Sequence, residues 1–541
     1  YEEAFDAFYK ATWNAEWQDA AFFELARLAS RSGRLEEALE LVERSLAGNG
    51  RFHQARHLKT SLLRHLGQRD AALLTAANSL ELDKIAYGAL WEKYVLQDDP
   101  YFALVTHHNT DTLIELALDY AHAGLFNDAQ ALLNSAADPG PMLKYTQGWI
   151  YEQAGEIEQA LEAFREAAGL SPDYCFPNRL EDVLSLTTAV RLNPDDARAP
   201  YYLGNFWYAH RRYDEAINAW EQARILYERF PTVHRNLGLA YYNKLHEPQR
   251  ALQSLKTAFA LNRRDDRVLF ELDQLYKKLN HLPAERLAFL ERYADLVNQR
   301  DDLMVEHITL LNLLQRPDEA LQLLLGRSFH PWEGGEGKVT RQYVVSLIEI
   351  ARHCIERGEF EKAVQHLERA QSYPQNLGEG KLFGAQENNI FYYLGCAYEG
   401  AGDRERAAEW FARAAVGLSE PTSAIFYNDQ PPDMIFYQAL ALQKLGHVAE
   451  AGELFQKLVR YGQDHMSDEV KIDYFAISLP DFLVFDEDLN ARNRAHCHYM
   501  IALGNSGLGE NEAAQAHFQE VLKIDINHLG AMLHQQLLMQ E

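Results

Sequence analysis

The run Gly334-Gly335-Glu336-Gly337-Lys338 invites comparison with a phosphate-binding loop. Such a loop needs G-x₄-G-K-[ST], so that backbone amides cradle phosphate and a hydroxyl reaches Mg²⁺. Here Trp332 stands at the first glycine position and Val339 replaces the Ser/Thr, so the nucleotide reading loses two of its essential groups. His496-Cys497-His498 and His107-His108 raise the question of a metal. Residues two apart on a helix point about 200° away from one another, so neither histidine pair can readily share one ion. The sequence holds no HExxH, nucleophile elbow or GxGxxG motif, and its carboxylates read as solvated helix faces. The expectation is no catalytic residue, no metal and no cofactor. Cys175, Cys354, Cys396 and Cys497 form no CxxC pair and read as buried thiols of a reducing cytoplasm.

The elements that would position any of these groups repeat along the chain. A glycine five residues before an alanine recurs at Gly33/Ala38, Gly67/Ala72, Gly124/Ala129, Gly155/Ala160, Gly358/Ala363, Gly402/Ala407, Gly446/Ala451 and Gly509/Ala514. Several units add more of one pattern. One carries Tyr201, Tyr202, Leu203, Gly204, Trp207, Ala216, Trp220 and Ala223, another Leu237, Gly238, Tyr241, Ala251, Leu255 and Ala258. A third carries Phe391, Leu394, Gly395, Tyr398, Ala407, Phe411 and Ala414, while Leu192-Asn193-Pro194-Asp195 reads as a stop between units. This pattern resembles the tetratricopeptide repeat (TPR), two antiparallel helices in about 34 residues. The fold expected is all-α, a superhelix of about eleven to thirteen helical hairpins in which each repeat buries its apolar face against its neighbours.

The anchor spacing is uneven. Ala38 and Ala72 are 34 residues apart, Ala216 and Ala251 are 35 apart, and Ala129 and Ala160 are 31 apart. The step is 44 from Ala363 to Ala407 and again to Ala451, then 63 to Ala514. Residues 1–325 are therefore read as a near-regular array, with weaker units at 268–295 and 301–325. Residues 326–342 are read as a Gly-rich non-helical loop, and 343–541 as elongated repeats with insertions at 419–433 and 474–489. The loop reads as a turn that docks Trp332 on a neighbouring helix, or as a partner-binding or interdomain contact; His330, Trp332, Glu333 and Lys338 are its candidate contact residues.

Some TPR modules hold a peptide C-terminal carboxylate with fixed amide and cationic side chains. By spacing from Gly204 and Gly238, Asn205 and Asn236 fall at the two amide positions of such a clamp and Arg267 near a basic one. Tyr201 and Glu271 replace two of its cations, and Glu271 would repel the acid. The wider groove is assigned to Tyr201, Asn205, Tyr208, Arg235, Asn236, Tyr242 and Arg267.

The segments FHPWEGGEGK, GAQENNIFYYLG, FYNDQPPDMIFYQALALQKLG and IDYFAISLPDFLVFDEDLNARN resemble a group of large bacterial proteins. In that group an N-terminal β-sandwich similar to galactose mutarotase precedes a long TPR array. The resemblance implies that this chain, which opens as a helix entered midway, is the TPR half. It implies a link to carbohydrate chemistry through the other half and assigns no catalytic residue here.

The formal charge of −27 repels phosphates, and no apolar run reaches the ~18 residues of a membrane span. Nucleic acid and membrane are therefore not expected as partners. The function expected is a cytoplasmic, non-enzymatic scaffold that binds a protein or peptide, its own N-terminal domain included, with homodimerisation through an uncapped end a further candidate. The alternative is an accessory half of a carbohydrate-active protein.

Overall fold

A computed structural model describes residues 2–107, 109–332, 334–423, 431–471 and 484–540. These form 30 α-helices, one short 3-10 turn and no strand. The expected all-α array of helical hairpins is what the chain forms. The eight turn glycines show why the motif was legible: their φ values run from +73° at Gly33 to +86° at Gly446, the left-handed region that side chains resist. Arg211, His246 and Gln315 take the same place, five residues before Ala216, Ala251 and Ala320, and also adopt positive φ. The alanine anchors are buried throughout.

Small-to-large contacts lock each hairpin. A Cβ on Gly148 would meet the Phe164 ring at 2.5 Å, one on Gly204 the Trp220 ring at 2.4 Å, and one on Gly395 the Phe411 ring at 2.5 Å. The second helix thus lays an aromatic ring on the bare backbone of the first.

The chain divides into two compact units, Tyr1–Val233 and His234–Glu541. The boundary falls inside helix Pro231–Asn243, well before the change in repeat spacing near residue 325. In the first unit, hairpins pair Gln18–Arg31 with Leu35–Gly48, His53–His65 with Arg69–Leu82, Thr110–His122 with Phe126–Leu133, Pro141–Gln153 with Ile157–Gly169, and Arg198–Ala209 with Tyr213–Leu226. Helix Leu180–Leu192 breaks this order: it packs on Pro141–Gln153 and Arg198–Ala209 as a single inserted helix.

In the second unit the weak repeats expected at 268–295 and 301–325 are hairpins, Asp266–Lys278 with Pro283–Glu291 and Asp301–Leu313 with Pro317–Leu325. The two 44-residue steps come from the stretches 371–387 and 415–431 between helices of ordinary length, and the 63-residue step from the long helices Val448–His465 and Leu489–Gly507 and the stretch between them. Residues 338–342, assigned to the loop from sequence, are helical; the Gly-rich turn ends at Gly337, and Val339 and Thr340 are buried on the first turn. The core of the later repeats gathers Phe436, Phe455, Leu503 and Phe518. The C-terminal hairpin returns onto the unit's early helices. Asn280 bonds the Ile524 carbonyl (3.1 Å) and the Ile526 amide (3.2 Å), and helix Leu529–Gln540 packs on Asp301–Leu313.

Beneath that return lies a buried ion cluster. Arg286, 1% exposed, donates to both oxygens of Asp273 (3.0 and 2.6 Å), to Glu306 (3.0 Å) and to Asn527 Oδ1 (2.8 Å). Burial alone would raise the Glu306 carboxyl, but Lys277 and Arg286 outweigh it and hold the group down at about 2. At Asp273 burial wins and the carboxyl is raised.

Candidate functional site

The groove residues read from the sequence divide between the units. Tyr201 is buried, not groove-lining: its ring packs on Phe230 at 4.8 Å and on Tyr202 at 5.2 Å. Asn205 accepts a hydrogen bond from Trp220 Nε1 at 3.1 Å, and Tyr208 packs on Tyr213 and Trp220. Asn205 and Tyr208 hold their own hairpin together, and Tyr201 joins it to the start of the next.

The second-unit members are likewise engaged. The buried carboxylate of Glu271 receives Arg235 through two bonds, Nε to Oε2 at 2.8 Å being one, and Arg267 Nε at 3.1 Å. Asn236 Oδ1 lies 3.4 Å from Arg235 Nη1. Arg267, near a basic position of the clamp, and Arg235 of the wider groove are thus paired with the chain's own Glu271. Tyr242 is covered by Phe485 of the 474–489 insertion, ring centroids 4.9 Å apart. Beside it Asn243 donates to the Val484 carbonyl (3.0 Å) and accepts from the Asp486 amide (2.8 Å). Lys278 pairs with Glu487 at 3.3 Å. Residues 472–483 and 424–430, within the two insertions, lie outside the described residues, as do Glu333 and His108.

The Gly-rich turn is built against residues 375–379. The Phe329 amide donates to the Asn376 carbonyl (2.7 Å), and the Asn376 side chain returns bonds to Leu324 and Arg327. The Trp332 ring lies over Gly335, where a Cβ would stand 2.1 Å from it, so it docks on its own turn. The Gly337 amide, at the start of helix Lys338–Glu356, donates to both oxygens of Glu379 (3.0 and 3.1 Å). The position a phosphate would occupy at a helix N-terminus therefore holds a carboxylate of the chain itself. His330 is exposed and bonds Asp301 through its amide at 2.8 Å; Lys338 is exposed.

His496 Nε2 lies 2.8 Å from the Thr422 carbonyl oxygen, whereas His498 faces His517 across its hairpin, Nδ1 to Nδ1 at 2.8 Å. The two turn to different neighbours, as the helix period requires. Burial pushes the Cys396 and Cys497 thiols up to about 11, so both are weak nucleophiles. Among the described residues no three ligating side chains gather as a metal site, and no helix is long and apolar enough to cross a membrane.

Sequence reasoning passed over a surface on the first unit. Helix Thr110–His122 carries Asp111, Glu115 and Asp119 at four-residue spacing, one stripe of a helix face. Arg179 pairs with Asp111 at 3.1 Å and with Glu115. One turn along, Asp119 accepts from Gln54 Nε2 at 3.0 Å and lies 3.8 Å from His57 Nδ1. Asp119 and His57 line a cleft of about 220 Å³ with His53, Asp83, Tyr87 and Leu116. His57 is 7% exposed, and its buried Nε2 has no hydrogen-bond partner. Arg64 and Glu92 stiffen the wall behind: Glu92 is fully buried and accepts from Arg64, from Ser61 (2.7 Å) and from Tyr120 (2.5 Å).

At the other end of the stripe, the connection into helix Leu180–Leu192 displays apolar groups. Tyr174 is 95% exposed, Phe176 73%, Leu180 74% and Leu184 52%. Cys175 and Pro177 point inward between them. Asp182 accepts the amides of Asn178 (2.8 Å) and Arg179 (3.0 Å), closing the helix start. Tyr174 holds a left-handed φ of 56°, a conformation that costs a non-glycine residue about 1–2 kcal/mol.

Family models for the tetratricopeptide repeat match residues 20–44, 143–174, 184–231 and 208–258. Those stretches are tetratricopeptide repeats. The last two matches cover the hairpins on either side of the unit boundary, and 143–174 covers the TPR hairpin that supports the Tyr174 segment. Among solved structures, a TPR protein from Parabacteroides merdae is 15% identical with TM-score 0.24, covering 56% of this chain and 98% of its own. Pseudomonas aeruginosa pilF is 22% identical with TM-score 0.24, covering 40% and 89%. The APC/C hetero-tetramer Cut9–Hcn1 gives 11% identity and TM-score 0.25 over 96% of each chain.

Proposed function

We propose that this chain is a protein-binding repeat module whose contact surface lies on the first unit, along helix Thr110–His122 and the segment 174–184. The carrying observation is the display of Tyr174, Phe176, Leu180 and Leu184 on a segment held by buried Cys175 and Pro177 and by the Asp182 bonds to Asn178 and Arg179. Single exposed hydrophobics are ordinary, but four large ones within eleven residues, beside a stripe of carboxylates, are the kind of apolar display that interaction sites use. The groove positions expected at Tyr201, Arg235 and Tyr242 are engaged within the chain, which favours this face over them. The occupant is a segment of another protein or of an N-terminal domain such as the resemblance implies. A photo-reactive phenylalanine analogue at Phe176 tests the reading. A discrete cross-linked partner is expected there and not with the analogue at Leu74, exposed on helix Arg69–Leu82. Equal labelling from both positions contradicts it.

A further inference from the structure

Resting on that reading, we infer that this face takes a cationic amphipathic protein segment. Its apolar side chains cover Tyr174, Phe176, Leu180 and Leu184, and its Arg or Lys side chains lie along Asp111, Glu115 and Asp119, one of them entering the cleft beside His57.

The charges decide the sign. Asp83, Asp111, Glu115, Asp119 and Glu181 lie on or beside this surface. Asp111 and Glu115 share a single arginine, Arg179, which is itself mostly buried against them. Glu181 pairs with His122 at 3.4 Å, and Asp83 has the Ile85 amide at 3.0 Å and His53 at 4.0 Å. Arg56, which lines the cleft, turns its Nε to the Gly50 carbonyl at 2.7 Å. Arg27, beside Asp119 and His57, pairs with Glu24 at 2.7 Å, and Arg31 bonds Gln153 at 2.8 Å. With Arg27, Arg31, Arg56 and Arg179 counted, carboxylates still exceed cations, and the excess is most accessible at Asp111 and Glu115, which remain well exposed in spite of Arg179.

The cleft sets the scale of what enters. Its volume of about 220 Å³ is below the roughly 300–1,000 Å³ of pockets that enclose a drug-sized ligand. It suits one long side chain. A lysine or arginine stem would lie on Leu116 and Tyr87 while its head reaches Asp119 or Asp83. Leu180 and Leu184, four apart on one helix, present the ridge against which a partner helix packs.

The test uses the full chain and two labelled helical peptides of about 18 residues, with the same Leu/Phe face and with either Arg/Lys or Glu on the other face. Fluorescence anisotropy is expected to show the cationic peptide binding at least about tenfold tighter than its acidic twin at low salt, with the difference shrinking as salt screens it. Asp111→Asn with Glu115→Gln should weaken the cationic peptide about 3- to 10-fold, the range of a few exposed charge contacts. Phe176→Ser with Leu184→Ser should weaken both peptides, and circular dichroism verifies that each variant is folded. Equal binding of both peptides, or a cross-linked partner at Phe176 that is acidic, overturns the charge inference and leaves the binding face standing. Binding indifferent to Phe176 and Leu184 overturns the face itself. Spermine competing fully and independently of Phe176 would make the ligand a small polycation, against a protein segment.

Discussion

Replacing Arg286 by methionine removes the cation from a closed polar cluster and leaves a side chain of similar reach. Asp273, fully buried, loses two hydrogen bonds, Glu306 loses one of its two cationic partners, and Asn527 loses its link to the hairpin Asp266–Lys278/Pro283–Glu291. Removing one partner of a buried ion pair costs about 3–5 kcal/mol, and the expected loss near pH 7 lies in that range. The loss depends on pH. In the parent, Glu306 sits at about 2, so its contribution is present above the unfolded value of about 4.3 and fades as pH falls toward 2. In the variant both carboxylates are raised by burial with less opposing charge, so the folded form takes up protons and its stability declines as pH rises. Both effects close the gap between the proteins on acidification. Urea unfolding followed through the second unit is the assay, with hydrogen exchange of residues 266–313 and 511–534 locating the loss. A single global free energy is not the right readout for a chain of two units. A cost below about 1 kcal/mol near pH 7, or one that does not shrink toward pH 4, refutes the reasoning.

Other substitutions probe other parts of the account. Gly204→Ala puts a methyl 2.4 Å from the Trp220 ring and should cost the first unit about 1–3 kcal/mol as overpacking, visible as a lowered Tm. Gln315→Gly relieves a left-handed residue (φ 58°) and a buried, unpartnered side-chain nitrogen. It should stabilise the second unit by about 0.5–1 kcal/mol once the added chain entropy of glycine is offset. At Glu92 burial would raise the carboxyl, but Arg64, His57 and Tyr120 outweigh it and hold it below its usual value. Its contribution is therefore present above the unfolded pKa and lost as pH falls below about 4. Arg64→Met should flatten that acid limb in hydrogen exchange of residues 53–65 and 87–97.

What could be foreseen from the sequence was whatever repeats at fixed spacing. Gly148 with Phe164, Gly204 with Trp220 and Gly395 with Phe411 keep one offset because each is the same helix crossing. The turn glycines were equally readable, because left-handed backbone selects them. Contacts between distant segments left no periodic trace. Phe485 on Tyr242 and Glu379 on the Gly337 amide join residues far apart in sequence, so the first reads in sequence as a free groove, and nothing near the Gly-rich run names the carboxylate that meets its amide. Tyr201 was misjudged for a local reason: next to Gly204 on its helix, it faces Phe230 at the start of the next hairpin. The inserted helix Leu180–Leu192 was hidden because its end, Asn193-Pro194, looks like the end of an ordinary repeat. The surface it helps to form went unread with it, since exposed apolar residues in one helix look like core residues until the packing is known.

The most direct test of the central claim is carbene footprinting of the chain with and without its bound partner segment. The account expects protection concentrated at residues 174–184 and at Asp111–Asp119, with His53–His57 protected as a side chain fills the cleft. Protection confined to the second unit, or to the middle of helix Arg69–Leu82 around Leu74, would contradict it.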